Sequence, residues 1–381
     1  MNFEKVLTDD VKKLGRVFKE HGFELRVVGG SVRDVILGKD PKDIDLCSDA
    51  TPEEMINFLE SNGYKTYPTG INHGTISVMS EELYEITTLR IDVETNGRHA
   101  EVEFTRDFKE DAARRDFTIN AMSVDMTGKL YDYFGGYADL ENEHVRFVGY
   151  PHQRIEEDYL RILRYFRFYG RMKDPILDYD VKEAISLHHD GLEGISGERI
   201  WMEMSKILKA NRVDEVLYFM DVWGVSRHIN LPFDFFNIDR NIDINKKSKK
   251  LSPIAFLGFL TQTFNKMEIT ANHWKLSRRE RDLYAFILNN KDWDFTEHDI
   301  KVALSNGVDR EFLVELALAN DKDHMVKTIE SWNDKFPVTG KDLILNGFKS
   351  GPELGKALKD LKSLWQDSEF KLTKEELLKT I

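Results

Sequence analysis

Apolar residues recur at helical intervals near the start of the chain, at Val6, Val11, Leu14 and Phe18, and Gly22 is placed to end the helix they predict. Residues 24–28 read as a strand, broken by Gly29 and Gly30. Ser31 can cap a following helix over residues 32–37, which Gly38 closes. Residues 42–47 predict a second strand, and Thr51, Pro52 and Glu54 supply the cap, first-turn proline and capping-box glutamate of a further helix. Residues 75–79, 84–91 and 102–104 predict more strands. Past Pro151 the period turns helical almost throughout, with one helix to about Met172, another from Asp180 and another over 197–209. Residues 237–250 are polar enough for a linker or long loop. The pattern is that of an α+β chain, a mixed sheet with helices over residues 1–150 followed by an all-helical remainder.

At 381 residues the chain should hold more than one domain. It has no run of about 18 apolar residues and no charged-then-apolar leader, so a soluble cytoplasmic protein without a membrane partner is expected. The one cysteine, Cys47, excludes an internal disulfide and a cysteine-rich zinc site; after an apolar strand it should be buried and inert. A net charge of −13 disfavours nucleic-acid binding through the overall field, so an RNA partner would need local basic patches. Two are candidates: residues 154–171, with five arginines, and Lys246, Lys247, Lys249 and Lys250. The lysines read as a solvated face, whereas Arg161, Arg164, Arg167 and Arg171 recur every three to four residues as a stripe on one helix.

The chemistry centres on Asp43-Ile44-Asp45. On a strand both carboxylates would project from one face, with Ile44 turned to the core. Such a pair suits magnesium, a hard ion that keeps waters and takes phosphate oxygens; a second ion about 3.5–4 Å away could activate the attacking oxygen. Upstream, Val28-Gly29-Gly30-Ser31-Val32-Arg33 joins a strand to a helix start through a glycine pair, where backbone can approach a phosphate and Arg33 can add a charge-assisted fork.

This stretch resembles the signature of the DNA polymerase beta superfamily of nucleotidyltransferases. Gly29-Gly30-Ser31-Val32-Arg33-Asp34 is similar to the narrower form in class II tRNA nucleotidyltransferases, of bacterial type, and bacterial poly(A) polymerases. Further matches follow in order: residues 114–121 resemble the family's ribose- and phosphate-binding motif, Asp132, Gly135, Gly136 and Asp139 its hinge motif, residues 157–161 its base-reading motif, and residues 195–199 with Glu203 and Met204 its fifth. The resemblance implies a polymerase-beta-like head over 1–150, a base-reading neck over 151–210, a helical body over 211–290 and a tRNA-binding tail over 291–381. The activity it implies is addition of C, C and A to the 3′ end of tRNA from CTP and ATP, with no template. Asp43 and Asp45 would be the catalytic, metal-holding pair for two magnesium ions. Gly30, Arg33, Arg115, Arg164 and Arg167 would face the nucleotide phosphates, and Asp116 and Asn120 the ribose; Arg171 is left out.

Base choice can be argued from chemistry. Asp158 and Arg161, three apart, would stand side by side on a helix, the one only accepting hydrogen bonds and the other only donating them. Cytosine and adenine both present an amino donor beside a ring-nitrogen acceptor; uracil and guanine reverse the pattern. Glu157 would hold Arg161 in place. Residues 85–92 followed by 95–98 are similar to the loop of complete CCA adders, with Arg90 and Asp92 as its working pair. Glu85 is a weaker candidate for a third metal carboxylate.

Three rivals remain: an enzyme adding only CC or A; a poly(A) polymerase, disfavoured because such enzymes carry Gly-Arg-Arg where this chain has Gly29-Gly30-Ser31; and a catalytically idle RNA-binding protein. His188-His189-Asp190 suggests a metal phosphohydrolase, but that site's other ligands have no clear pattern. No protein partner is implied.

Overall fold

The computed structural model describes residues 2–95 and 100–381; Asn96, Gly97, Arg98 and His99 lie outside it, as do the side chains of Asn72 and of residues 92–95 and 100–102. The chain divides into two compact units, one of residues 1–237 with 273–275 and one of residues 238–272 with 276–381.

The first unit opens with α1 (Asp9–Glu20), β1 (Leu25–Val28), α2 (Gly30–Ile36), β2 (Leu46–Ser48), α3 (Pro52–Ser61), β3 (Lys65–Gly70), β4 (Thr75–Met79) and β5 (Leu83–Thr88). Next come the hairpin β6 (Arg90–Thr95) and β7 (Ala100–Phe104), then α4 (Phe108–Ala113), β8 (Met122–Asp125), β9 (Leu130–Asp132) and α5 (Gly136–Glu141). Seven strands form a mixed sheet in the order β3-β4-β5-β2-β1-β8-β9, in which β2 and β5 are the parallel pair and the other neighbours run antiparallel. Val27, Leu46, Ile76, Val78, Ile86 and Val124 are all but fully buried and form the sheet's part of the core.

Capping follows the sequence at α3, where Thr51 and Glu54 make the reciprocal box. It departs from expectation at α2. Gly29 is the cap, and Ser31 sits inside the helix with its hydroxyl donating to the Val28 carbonyl at 2.9 Å. The strand expected over 42–47 is only Leu46–Ser48, so Asp43 and Asp45 lie in the turn that enters β2. The Val28 N–H still donates to the Asp45 carbonyl at 3.0 Å, which ties that turn to the strand behind the glycine pair. The run expected over 84–91 breaks at Leu89, whose N–H donates to Ser48 at 2.9 Å, and the chain leaves the main sheet to form the β6–β7 hairpin.

Helices α6 (Pro151–Glu157), α7 (Leu160–Tyr169), α8 (Tyr179–His188), α9 (Gly197–Ile207), α10 (Val213–Val222) and α11 (Val225–His228) complete the unit. One helix was expected up to about Met172; the chain instead breaks at Asp158, whose φ of −155° is extended. Aromatic rings fix α7 against the segment after α4: Phe117 lies 4.7 Å from Phe147 and 5.5 Å from Phe168, centroid to centroid. Gly136 is required where α5 crosses that segment, since a Cβ there would fall 2.1 Å from the Thr118 carbonyl oxygen.

The second unit is helical, with Pro253–Leu260, Arg278–Asn290 and Arg310–Ala319 packed on one another. Val338, Leu343, Leu361, Trp365 and Leu377 form a separate cluster among its last helices. The segment expected as a linker contains a helix, Ile244–Lys250; of its lysines Lys246 and Lys249 are exposed as a solvated face would be, whereas Lys247 and Lys250 are not. Lys247 is buried and donates to the Ala319 carbonyl at 2.5 Å and to Asp321 at 2.7 Å, while Lys250 pairs with Asp323. Asp243, three residues before Lys246, caps this helix, the signal that a polarity count passes over. Among the described residues no helix is long and apolar enough to cross a membrane.

Candidate active site

Gly29 adopts φ 68°, and a Cβ on it would come within 2.9 Å of Arg115 Nη1. Glycine is therefore needed both for the backbone and for the close approach. From this turn, Gly29, Gly30 and Arg33 line a cavity of about 800 Å³. Asp43 and Asp45 line it from the turn before β2, and Arg115, Asp116 and Asn120 from the segment after α4. Asp158, Arg161, Arg164 and Arg167 close it from the break between α6 and α7 and from α7 itself. The structure thus brings Asp43 and Asp45, Asp158 and Arg161, and the residues expected at the ribose and phosphates to one cavity, while Glu85, the weaker metal candidate, lines a neighbouring one with Asp43 and Asp45. Counted over its lining, nine arginines and lysines face five aspartates and glutamates, a surplus of four positive charges suited to a polyanion in a protein that is acidic overall.

A continuous polar chain crosses the cavity wall. Arg33 donates to the Asn120 side-chain carbonyl, Asn120 donates to Asp116 Oδ1 at 3.0 Å, and Arg164 Nε donates to Asp116 Oδ2 at 2.7 Å. Burial would raise the Asp116 carboxyl, but the Arg164 guanidinium and donors from Asn120 and the Phe117 N–H outweigh it and hold the group below its ordinary value. Asp111 behaves alike: burial is opposed by Arg115 and Arg114, which fork onto its two oxygens, and its carboxyl too is held low. Arg167 is committed to a buried pair with Glu203 at 2.9 Å, and burial with the neighbouring Arg164 pulls its guanidinium down to about 10.

The residues expected to read the base are braced from behind. Glu157, expected to steady Arg161, accepts from Arg161 Nη1 at 2.6 Å and also from Arg154. Arg154, which sequence reasoning counted only within a basic stretch, is buried and donates to the Arg114 and Arg115 carbonyls, so it ties α6 to the segment after α4. Asp158 does not share a helix face with Arg161, as spacing suggested; it sits at the break, accepts the Leu160 N–H at 3.2 Å and takes Arg199 Nη2 at 2.8 Å. Arg199 and Glu203 stood in the fifth motif without a role. Their signal was visible only as a motif, because the contacts they make span 36 to 41 residues.

Arg90, at the start of β6, does not line the cavity; its guanidinium donates to the His73 carbonyl. The Asp92 side chain and residues 96–98 of the expected loop lie outside the described residues. Cys47 is buried, and burial pushes its thiol far up, as an inert cysteine requires. Near His188, the ring of His152 lies 3.1 Å away, nitrogen to nitrogen, but among the described residues no three histidine, cysteine or acidic side chains are grouped to hold a metal.

The donor set at Asp43 and Asp45 fits a hard cation. Burial raises the Asp45 carboxyl; Arg115 opposes this, and Asp43 and Glu85 add to it. Glu85 is brought there because β2 and β5 are parallel with Leu46 opposite Ile86. Acids crowded in this way favour a cation between them, and two protein carboxylates are what magnesium needs when phosphates and waters complete its shell.

Paired acids beside a glycine turn on a mixed sheet, facing a row of arginines, define a nucleotidyltransferase. Residues 25–146 match the family described as poly A polymerase head domain, and residues 176–230 that described as probable RNA and SrmB-binding site of polymerase A. The chain is 40% identical to the mitochondrial CCA tRNA nucleotidyltransferase 1 of Mus musculus, over 100% of this chain and 91% of the relative. It is 30% identical to the CCA-adding enzyme of Staphylococcus epidermidis, over 98% and 97%. Its fold is similar to the Bacillus stearothermophilus CCA-adding enzyme solved in complex with CTP, with a TM-score of 0.77 at 25% identity, covering 98% of this chain and 96% of that one. The chain belongs to the CCA tRNA nucleotidyltransferases of the polymerase family. Nucleotidyltransferases of this family generally use divalent metal ions.

Proposed function

We propose that this protein adds C, C and A in turn to the 3′ end of tRNA, choosing CTP and then ATP with its own side chains. The observation that carries the reading is the single cavity shared by Asp43 and Asp45 on one wall and Asp158 and Arg161 on the other. Asp43 and Asp45 would hold magnesium, two ions during catalysis, which when bound supplies charge neutralisation at the α-phosphate and acidifies the attacking hydroxyl. The tRNA 3′-oxygen bonds to the α-phosphorus, the bond to the β-phosphate oxygen breaks, and pyrophosphate leaves. Arg33, Arg115 and Arg164 neutralise the phosphates beside Gly30, with Arg167 behind them, while Asp116 and Asn120 fix the ribose.

Asp158 accepts from the exocyclic amine of cytosine or adenine, having lone pairs beyond those that Arg199 and Leu160 occupy, and Arg161 donates to the neighbouring ring nitrogen. Uracil and guanine set carbonyl against carboxylate and N–H against guanidinium; each bidentate match is worth roughly 1–3 kcal/mol. Arg90 and Asp92 belong to this reading as the pair that readjusts the pocket from C to A. So do the head, neck, body and tail divisions and residence in the cytoplasm, which fractionation of expressing cells checks.

The test is incubation of the purified protein with magnesium, single NTPs and tRNA lacking its last three nucleotides. Two C additions from CTP alone, and a terminal A only once ATP is added, are expected. A stop after CC with both present, a long A tract, or no addition would each overturn the assignment in favour of a partial adder, a poly(A) polymerase or an idle RNA-binding protein.

A further inference from the structure

Four guanidinium groups gather about one buried ring. Arg167, Arg33, Arg164 and Arg171 have their guanidinium carbons 4.4, 5.0, 5.8 and 5.9 Å from the centroid of Phe168. Three of them are engaged, Arg33 with Asp34 and Asn120, Arg164 with Asp116, and Arg167 with Glu203. Arg171 lines the same cavity as an exposed residue, and among the described residues no hydrogen bond or ion pair engages its guanidinium. Desolvation and Arg33 disfavour its charge, Asp34 and Glu203 favour it in part, and Lys206 shares the lining with it.

Position gives this cation a purpose. Arg171 lies two residues past the end of α7, whose stretch from Arg161 to Tyr169 spans roughly 12 Å at 1.5 Å per residue. Arg161 meets the base in the reading above, Arg164 lies against the ribose segment, and Arg171 stands at the far end, beside Arg33 of the glycine turn. We infer that Arg171 binds the terminal phosphate of the incoming CTP or ATP, and the same group when it departs as part of pyrophosphate, with Lys206 as the second cation of that subsite. A guanidinium that makes no ion pair of its own, open to solvent on the cavity wall beside Arg33, is available to this end of the polyanion. This rests on the nucleotidyltransferase reading and adds to it a binding residue that the sequence argument had set aside.

The test uses the full-length protein and the Arg171→Leu and Arg171→Lys variants, the first two readouts being nucleotide addition to tRNA and competition by CMP or by pyrophosphate. Arg171→Leu should raise the KM for CTP and for ATP alike by about tenfold, the loss of one charge-assisted hydrogen bond, with kcat little changed. Pyrophosphate inhibition should weaken by a similar factor, CMP inhibition should hold, and Arg171→Lys should recover part of the loss. Thermal melts confirm that the variants are folded. An active wild type with an unchanged Arg171→Leu variant, or one in which CMP binding weakens as much as pyrophosphate binding, overturns the inference alone. A wild type that adds no nucleotide overturns the reading beneath it.

Discussion

In the proposed reading single side chains decide two things, which base is read and how firmly the reader is held. Glu157 joins Arg154 and Arg161, both buried. Breaking a buried pair by removing one partner costs about 3–5 kcal/mol when desolvation is complete, and Glu157 is still 22% exposed on its side chain. Glu157→Gln should therefore lower stability by a smaller amount, roughly 2 kcal/mol, and loosen base choice at the same time. Calorimetry and single-nucleotide addition would show both, and a variant with unchanged selectivity would mean that Arg161 needs no support. Arg199→Leu should act on Asp158 in the same manner, reducing discrimination against UTP while leaving CTP addition measurable; equal loss for all four nucleotides would contradict that role. The identities of these residues were legible in the sequence, whereas their partners were not, because Arg199 and Asp158 are 41 positions apart and only the fold makes them neighbours.

Among elements, the turn from β1 into α2 and the segment after α4 have the least freedom. Gly29→Ala combines a backbone strain at φ 68° with a contact 2.9 Å from Arg115 Nη1. It should cost about 1–3 kcal/mol and abolish nucleotide addition before it unfolds the protein; an active alanine variant would show that the turn tolerates a side chain. The sequence marked this turn plainly because glycine pairs are rare punctuation. It misplaced its consequence at Asp43 and Asp45, which sit before a three-residue strand instead of within a six-residue one. The strand that does form is held by tertiary pairing on both sides, to β1 and β5, rather than by its own length. Strands β3, β8 and β9 gave no clear pattern either. Lys65–Gly70 carries threonine, proline and glycine among exposed positions, and Leu130–Asp132 is too short for alternation to register. Helix α7 read as amphipathic, and it is, but the same stripe that faces the cavity also packs on Phe168, so charge and core share one face.

At the scale of the first unit, stability should depend on pH through the carboxylates that brace the arginines. Asp111 and Asp116 are both held below the ordinary carboxylate value. The unfolded state then takes up protons more readily than the folded one, so their contribution is complete above about pH 5 and drains away as the pH falls through the unfolded and then the depressed values. The melting temperature should be flat from neutral pH down to about 5 and then drop, and Asp111→Asn should lower it at neutral pH while flattening the acid limb. A variant with an unaltered acid limb would place the linkage elsewhere. The division of the chain was only partly readable. The shift to helices after Pro151 is real, but the compact units part near residue 237, because α6 and α7 belong by packing to the sheet whose site they complete.

On the proposed reading, base choice resides in Asp158 and Arg161 and is separable from the chemistry at Asp43 and Asp45. That separation is tested most directly by measuring rates of single addition of all four nucleotides to tRNA lacking CCA, for the wild type, Asp43→Asn and a variant in which Asp158 and Arg161 are both changed to alanine. Asp43→Asn should lose addition of every nucleotide together, while the double variant should admit UTP and GTP at rates approaching its rate with CTP. Retained preference for CTP and ATP in an active double variant would contradict that reading.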